Sequence, residues 1–132
     1  NLMHQLLRKA VQALAEDFDI EIIEKHHNKK LDSPSGTANS LLETVQSSLS
    51  NIRAVEYGRN GMKKREQQEI GMHSLRGGTI VGEHSVIFAG EDEIIEIKHI
   101  AASKKVFAKG EIRAAQFLAK QDAGLYDMEE AV

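Results

Sequence analysis

Leu2, Leu6, Leu7, Val11 and Leu14 recur every three or four positions among Gln5, Arg8, Lys9 and Gln12. That spacing predicts a helix with one apolar face. The stripe is amphipathic rather than an unbroken apolar run, so it reads as a surface helix and not as a signal peptide or membrane span. His4 is expected on its solvent side. Residues 17–25 change character: Phe18, Ile20, Ile22 and Ile23 are mostly β-branched and predict a strand buried on at least one face, ending near Glu24 or Lys25. Residues 26–36 are polar, contain the only proline, Pro34, and predict a loop. Helical spacing returns over 37–49 through Leu41, Leu42, Val45 and Leu49, after the small helix-opening residues Ser35, Gly36 and Thr37. Residues 52–58 suggest a short strand, and the charged stretch 59–68, with Lys63, Lys64 and Arg65, is expected to be mobile.

From 69 to 100 the pattern is of strands separated by turns: 69–75, Arg76-Gly77-Gly78, 79–89, Gly90-Glu91-Asp92 and 93–100. Sequential hairpins predict antiparallel pairing here. The strand at 17–25 instead reaches its next strand through a helix, which places a parallel pair beside the hairpins. Ile112, Ala115, Leu118 and Ala119 mark a third helix after Gly110, and the tail carries Leu125, Tyr126 and Met128. The sum is an α+β fold, a mixed β-sheet of about four to five strands with helices packed on one face.

Composition narrows the class. With 132 residues, 41% of them hydrophobic, the chain supports one modest core, so 1–132 is expected to be a single domain. A net charge of -3 with 28% charged residues lacks the basic excess of a nucleic-acid binder, and neither nucleic acid nor membrane is expected as a partner. The absence of cysteine excludes disulfides, thiolate metal sites and cysteine nucleophiles, and a cytoplasmic location fits best. The chain opens on Asn1 without an initiator Met and runs straight into a helix, which we read as the mark of an excised fragment.

The densest chemistry lies in His26-His27-Asn28-Lys29-Lys30, two imidazoles and two ammonium groups between a strand end and a helix start. Ser33-Pro34-Ser35-Gly36-Thr37 follows, and the free N–H groups and positive dipole end of the next helix favour a carboxylate or phosphate. Together they suit a small anion. A histidine there exchanges protons near neutral pH without a metal, and a lysine beside other cations is a second proton source. On spacing alone, the same residues equally describe a solvated loop followed by an ordinary helix start.

The run Glu24-Lys25-His26-His27-Asn28-Lys29-Lys30-Leu31-Asp32-Ser33-Pro34-Ser35-Gly36-Thr37-Ala38 resembles the E-x-H-H-x-x-K-x-D-x-P-S-G-T-A signature of dihydrodipicolinate reductases. Gly58-Arg59, Ile70-Gly71 with His73, and Arg76-Gly77-Gly78-Thr79-Ile80-Val81-Gly82-Glu83-His84 are similar to further segments of that family, as is Gly124-Leu125-Tyr126-Asp127-Met128. The resemblance implies reduction of 4-hydroxy-tetrahydrodipicolinate, a ring dicarboxylate, with NADPH or NADH, on the diaminopimelate route to lysine. It implies His26 as proton donor and acceptor and Lys30 as a second donor. His27, Gly36 and Thr37 would hold the substrate, assisted by Ser35. Lys104 and Phe107 are implied cofactor contacts. The family's Gly-rich nucleotide-binding domain has no counterpart here, since neither Gly58-Arg59-Asn60-Gly61 nor Arg76-Gly77-Gly78 has its spacing. The isolated chain is therefore expected to be inactive. Residues 110–132 resemble the segment that returns to that domain. The family assembles as homotetramers through the sheet, and Val81, Ile87, Ile95 and Ile97 are candidates to face another subunit.

Other residues carry less. His84 shares a period-two face with Ile80, Val86 and Phe88 and reads as structural. His73 and His99 lack acidic neighbours at metal spacing, so no metal is expected. Gly77 and Gly78 read as turn formers, and Arg76, which could reach a carboxylate, is expected on the surface. Two other readings stand: a metal-dependent hydrolase built on His26, His27 and a distant histidine, and a non-catalytic oligomerisation or anion-binding module.

Overall fold

Along Asp19–His26 the side chains alternate strictly between half-buried and buried, as they must when one strand face looks into the core and the other does not. This strand, β1, follows helix α1 (Leu2–Leu14) and lies at the centre of a five-stranded sheet. The others are β2 (Ala54–Tyr57), β3 (Glu69–Arg76), β4 (Gly82–Ala89) and β5 (Ile94–Ala101); α2 (Gly36–Ser48) joins β1 to β2, and α3 (Lys105–Leu118) follows β5. The computed structural model describes residues 1–128, 130 and 131. Glu129 and Val132, which belong to the tail expected to return to another domain, lie outside the described residues.

The strand order is β2-β3-β1-β4-β5. β1 pairs parallel with β3, β3 parallel with β2, and the β1–β4 and β4–β5 pairs are antiparallel, so the sheet is mixed as expected. The expected hairpin of β3 with β4 does not form, because β1 lies between them. Ile20 faces Ile70 on one side and Phe88 on the other, and Ile22 faces Met72 and Val86. The most regularly apolar strand thus takes the position where both neighbours shield it. A turn-forming composition shows that the chain reverses; it does not show which strands then pair.

Helices α1 and α2 cover one face of the sheet. Leu7 and Val11 of α1 and Ala38, Leu41 and Val45 of α2 close over Ile20, Ile22, Ile70, Met72, Val86 and Phe88 in one cluster. Each large side chain removed from water in this way contributes roughly 1.5–3 kcal/mol. His4 is not free in solvent: its Nδ1 is 2.8 Å from Thr44 Oγ1 on α2, because the helices pack closely enough for the pair to meet. Arg53 fastens the far end of the layer. Its backbone exchanges two hydrogen bonds with the Gln46 side chain, and its guanidinium donates to the carbonyl of Ala15 at the end of α1.

α3 begins at Lys105 rather than after Gly110, which lies inside it, and it buries none of its residues. A glycine in a helix interior weakens it by about 1 kcal/mol relative to alanine but does not end it. Val106, Phe107, Ile112 and Leu118 are left exposed.

The four residues expected to face another subunit divide between the two faces. Ile95 lies opposite Phe88 and Ile97 opposite Val86, on the core face, and Ile97 packs against this chain's own core. Ile87 lies opposite Glu21 on the other face, and Val81 precedes β4. The stretch 59–68 has no helix or strand, yet it is pinned where mobility was expected. Arg65 donates to Asp19 and Glu21 and to the carbonyls of Ile20 and Glu69, while Arg59 pairs with Glu69. Gly71 makes this possible, since a Cβ there would collide with the Glu21 carboxylate lying across β3.

Candidate active site

Strand register gathers the chemistry at one end of the sheet. His26, the last residue of β1, pairs with Arg76 at the end of β3; Lys25 pairs with Glu83 and Gly82 with Ala101, so the start of β4 and the end of β5 lie there too. Loop 27–35 leaves β1 at this end and leads into α2, and crevices beyond strand ends are where such sheets place ligands.

Beneath the loop lies Glu24, with no solvent exposure. Its carboxylate accepts two hydrogen bonds from Arg76, at 2.8 and 2.7 Å, one from the Ser35 amide at 3.1 Å, and contacts His26 Nδ1 at 2.6 Å. Burial pushes this carboxyl up, but hydrogen bonds from Arg76, His26 and Ser74 more than offset it and hold the pKa at about 2. The His26 side chain is almost covered, and the His84 ring meets its edge at 5.1 Å between centroids and 70° between planes. His84 Nε2 lies 2.9 Å from the Ser35 hydroxyl, which also accepts from the Ala38 amide and so caps α2. Burial, followed by the nearby His26, lowers the His84 pKa to about 4.

These two shifts give a pH dependence with one sign. A histidine whose folded value is below its ordinary 6.5 takes up a proton more readily in the unfolded chain, so its contribution is complete above 6.5 and lost as pH falls toward 4. Glu24 contributes fully above its ordinary 4.5 and loses that contribution as pH falls toward 2. Urea denaturation across this range is expected to show stability falling from pH 7 to pH 4 by on the order of 2–3 kcal/mol, with the fall flattened in His84→Asn. An identical profile in the variant would remove His84 as its cause.

The Arg76-Gly77-Gly78 turn is a clamp on the loop. Arg76 donates to the Asp32 carbonyl at 2.7 Å, the Gly77 amide to the His26 carbonyl at 2.9 Å, and the Gly78 carbonyl accepts from the Asn28 amide at 3.2 Å. Arg76 is thus half-buried rather than free on the surface, and the carboxylate it reaches is that of Glu24 in its own chain. Lys30 pairs with Asp32 at 2.8 Å and keeps part of its side chain exposed, and His27 is half-buried. Gly36 and Thr37 are exposed in the first turn of α2, where backbone amides have no partner within the helix. Ser35, by contrast, is buried and its hydroxyl is committed to the cap and to His84. Lys104 and Phe107, one helical turn apart, stand exposed at the start of α3, three residues beyond the Ala101 that pairs with Gly82.

The structure therefore brings His26, His27, Lys30, Ser35, Gly36 and Thr37 to one place and adds Glu24, Arg76 and His84, which sequence reasoning had not placed there. Glu24 was visible only as the first letter of the loop signature. Among the described residues, no group of three or more His, Cys, Asp or Glu is positioned to hold a metal ion, and no helix is long and apolar enough to cross a membrane.

Two helices on one face of a mixed sheet, with a cationic loop and a buried carboxylate–histidine pair at the strand ends, define an α+β domain. The family model for "Dihydrodipicolinate reductase, C-terminus" matches residues 1–132, and the chain belongs to that family. It is 54% identical over 132 residues to the 4-hydroxy-tetrahydrodipicolinate reductase of Brachyspira hyodysenteriae, covering 100% of this chain and 57% of that protein. The enzyme of the same name from Exiguobacterium sibiricum is 58% identical over 128 residues, covering 97% and 51%. The chain thus spans about half the length of the curated relatives it matches. Dipicolinate-bound dihydrodipicolinate reductase from Paenisporosarcina sp. TG-14 has the same fold, with a TM-score of 0.77 at 23% identity over 99% of this chain and 50% of that one.

Proposed function

We propose that this chain is the part of a 4-hydroxy-tetrahydrodipicolinate reductase that holds the dicarboxylate substrate and supplies its proton. The observation that carries this reading is the joining of two anion-binding features directly above one buried acid–base pair. Lys30 and His27 on the loop suit one carboxylate, and the free amides of Gly36 and Thr37 at the positive end of α2 suit the other. His26 and Lys30 then stand beside the ring as proton sources, and Ser35 acts from behind by fixing the start of α2 and His84.

A nicotinamide cofactor, NADPH or NADH, supplies a hydride when bound. The residues present fit a minor share in holding it: Lys104 offers an ammonium and Phe107 an exposed ring face, with no acidic residue in the first turn of α3. A nucleotide-binding domain elsewhere in the full-length protein would provide the main grip, which makes this chain inactive alone. The exposed apolar side chains of α3 and the tail are the surface suited to meet it. We place the enzyme in the cytoplasm, in lysine biosynthesis, as a homotetramer joined through the sheet face that carries Ile23 and Ile87. Sedimentation at several concentrations tests that assembly.

The substrate reading is tested by titrating pyridine-2,6-dicarboxylate, a planar ring dicarboxylate, into the chain in a calorimeter. Saturable binding that is weakened in Lys30→Ala and in Thr37→Pro, which takes away one of the two amides within the first helical turn, is the expected result. No binding to the chain, and none to the full-length reductase with cofactor, would overturn it.

A further inference from the structure

The arrangement around Glu24 has a consequence for the reaction, one that rests on the function proposed above. Glu24 and His26 are two residues apart on β1, so their side chains emerge on the same face of the strand. Around the carboxylate every direction is taken. Oε1 accepts from Arg76 Nη2 and the Ser35 amide, and Oε2 accepts from Arg76 Nη1 and meets His26 Nδ1. An ionised carboxylate only accepts, so the proton in the 2.6 Å contact belongs to Nδ1. The other ring nitrogen, Nε2, faces Gly82, where a Cβ would come within 3.2 Å of it. The absent side chain keeps that nitrogen from being crowded at position 82.

We infer that Glu24, gripped by Arg76, is a positioning residue that commits His26 to the tautomer with its proton on Nδ1, leaving Nε2 as the nitrogen that exchanges protons with the substrate. Once the 4-hydroxyl and a hydrogen from the neighbouring ring carbon have left as water, a bound reduced nicotinamide would supply a hydride, two electrons and one hydrogen, to the C=C bond so formed, its own oxidation balancing the reduction of the ring. The electron pair displaced onto the ring then takes the proton of the imidazolium Nε2–H: that N–H bond breaks, a ring C–H bond forms, and His26 is left neutral with Nδ1–H still on Glu24. The charged and titratable groups around the ring are Glu24 on its own strand, Arg76 on β3, His84 on β4 and Lys30 on the loop. Only Glu24 has an acceptor within hydrogen-bond reach of Nδ1 among the described contacts. Buried acids that orient a histidine in this way matter chiefly through the tautomer they impose.

The test is Glu24→Gln, read by long-range nitrogen–proton correlation spectra of the His26 ring under alkaline conditions, where imidazoles are neutral. In the unaltered chain, His26 is expected as the Nδ1–H tautomer. In Glu24→Gln, Arg76 holds the amide oxygen and the amide NH2 turns toward the ring, so the proton is expected to move to Nε2. Turnover of the full-length reductase is then expected to fall by about 100-fold or more, with KM for the substrate changed only a few-fold. A residue that merely supported the fold would move neither the tautomer nor the balance between kcat and KM. Finding the Nε2–H tautomer in the unaltered chain overturns the inference without any variant having to fold, as does a Glu24→Gln enzyme with unchanged turnover. Failure to bind pyridine-2,6-dicarboxylate would sink the substrate reading instead and leave the tautomer result standing.

Discussion

Arg76→Ala is expected to lower the unfolding free energy by about 3–5 kcal/mol, measured by urea denaturation at neutral pH. The reason is not the loss of an attraction alone. Glu24 has no exposure to water and remains ionised, so removing the guanidinium leaves a buried negative charge with only neutral or weakly compensating partners, His26, Ser74 and the Ser35 amide, beside it. The clamp on the Asp32 carbonyl is lost in the same step. For a domain of this size such a loss is a large share of the total, and the variant is expected to be partly unfolded at physiological temperature. A companion variant separates the causes. Glu24→Leu together with Arg76→Met removes both charges, and buried ion pairs replaced by apolar groups of similar volume are often no less stable. The double variant is therefore expected to be more stable than Arg76→Ala. If it is not, packing or the loop clamp, rather than the stranded charge, sets the loss. A change under about 1 kcal/mol in Arg76→Ala would place the pair in the range of solvent-screened surface bridges and contradict the burial seen here.

The second large effect is on turnover. In the full-length reductase, His26→Ala is expected to reduce kcat by about 10²–10⁴-fold, the usual contribution of a positioned general acid or base, while KM for the substrate changes far less. Lys30→Ala is expected to lower kcat as well but also to raise KM, because in the proposed function its ammonium would both neutralise a carboxylate and supply a proton. Steady-state kinetics on the two variants decides this. Equal losses in kcat/KM through KM alone would assign His26 to binding and leave the proton to another group.

Much of this site was legible in the sequence because it is contiguous. His26 to Thr37 form one strand end, one loop and one helix start, and the residues that resemble a known signature are neighbours in the chain. The periods of α1, α2 and β1 were legible for a similar reason, since each depends on which side of one element faces the core. Partners across the sheet were not. Arg76 looked like part of a surface turn because nothing local reveals that its strand lies beside Glu24. His84 was rightly read as facing inward, but its contact with Ser35 depends on β4 running antiparallel to β1, which the turn residues between β3 and β4 obscured. Gly110 looked like a helix boundary because helix propensity weighs against glycine, whereas the flanking residues carry the helix through it.

One consequence concerns the order of assembly. Glu24 and Arg76 are 52 residues apart in sequence, and Ser35 and His84 are 49 apart. Contacts at such separations close late, since a long loop must lose its freedom before they form. On a ribosome, a chain that has emerged only as far as α2 already displays the whole signature in linear order. It has both members of the acid–base pair on β1 but neither the grip of Arg76 nor the contact of His84, which come into being only when β3 and β4 arrive on either side of β1.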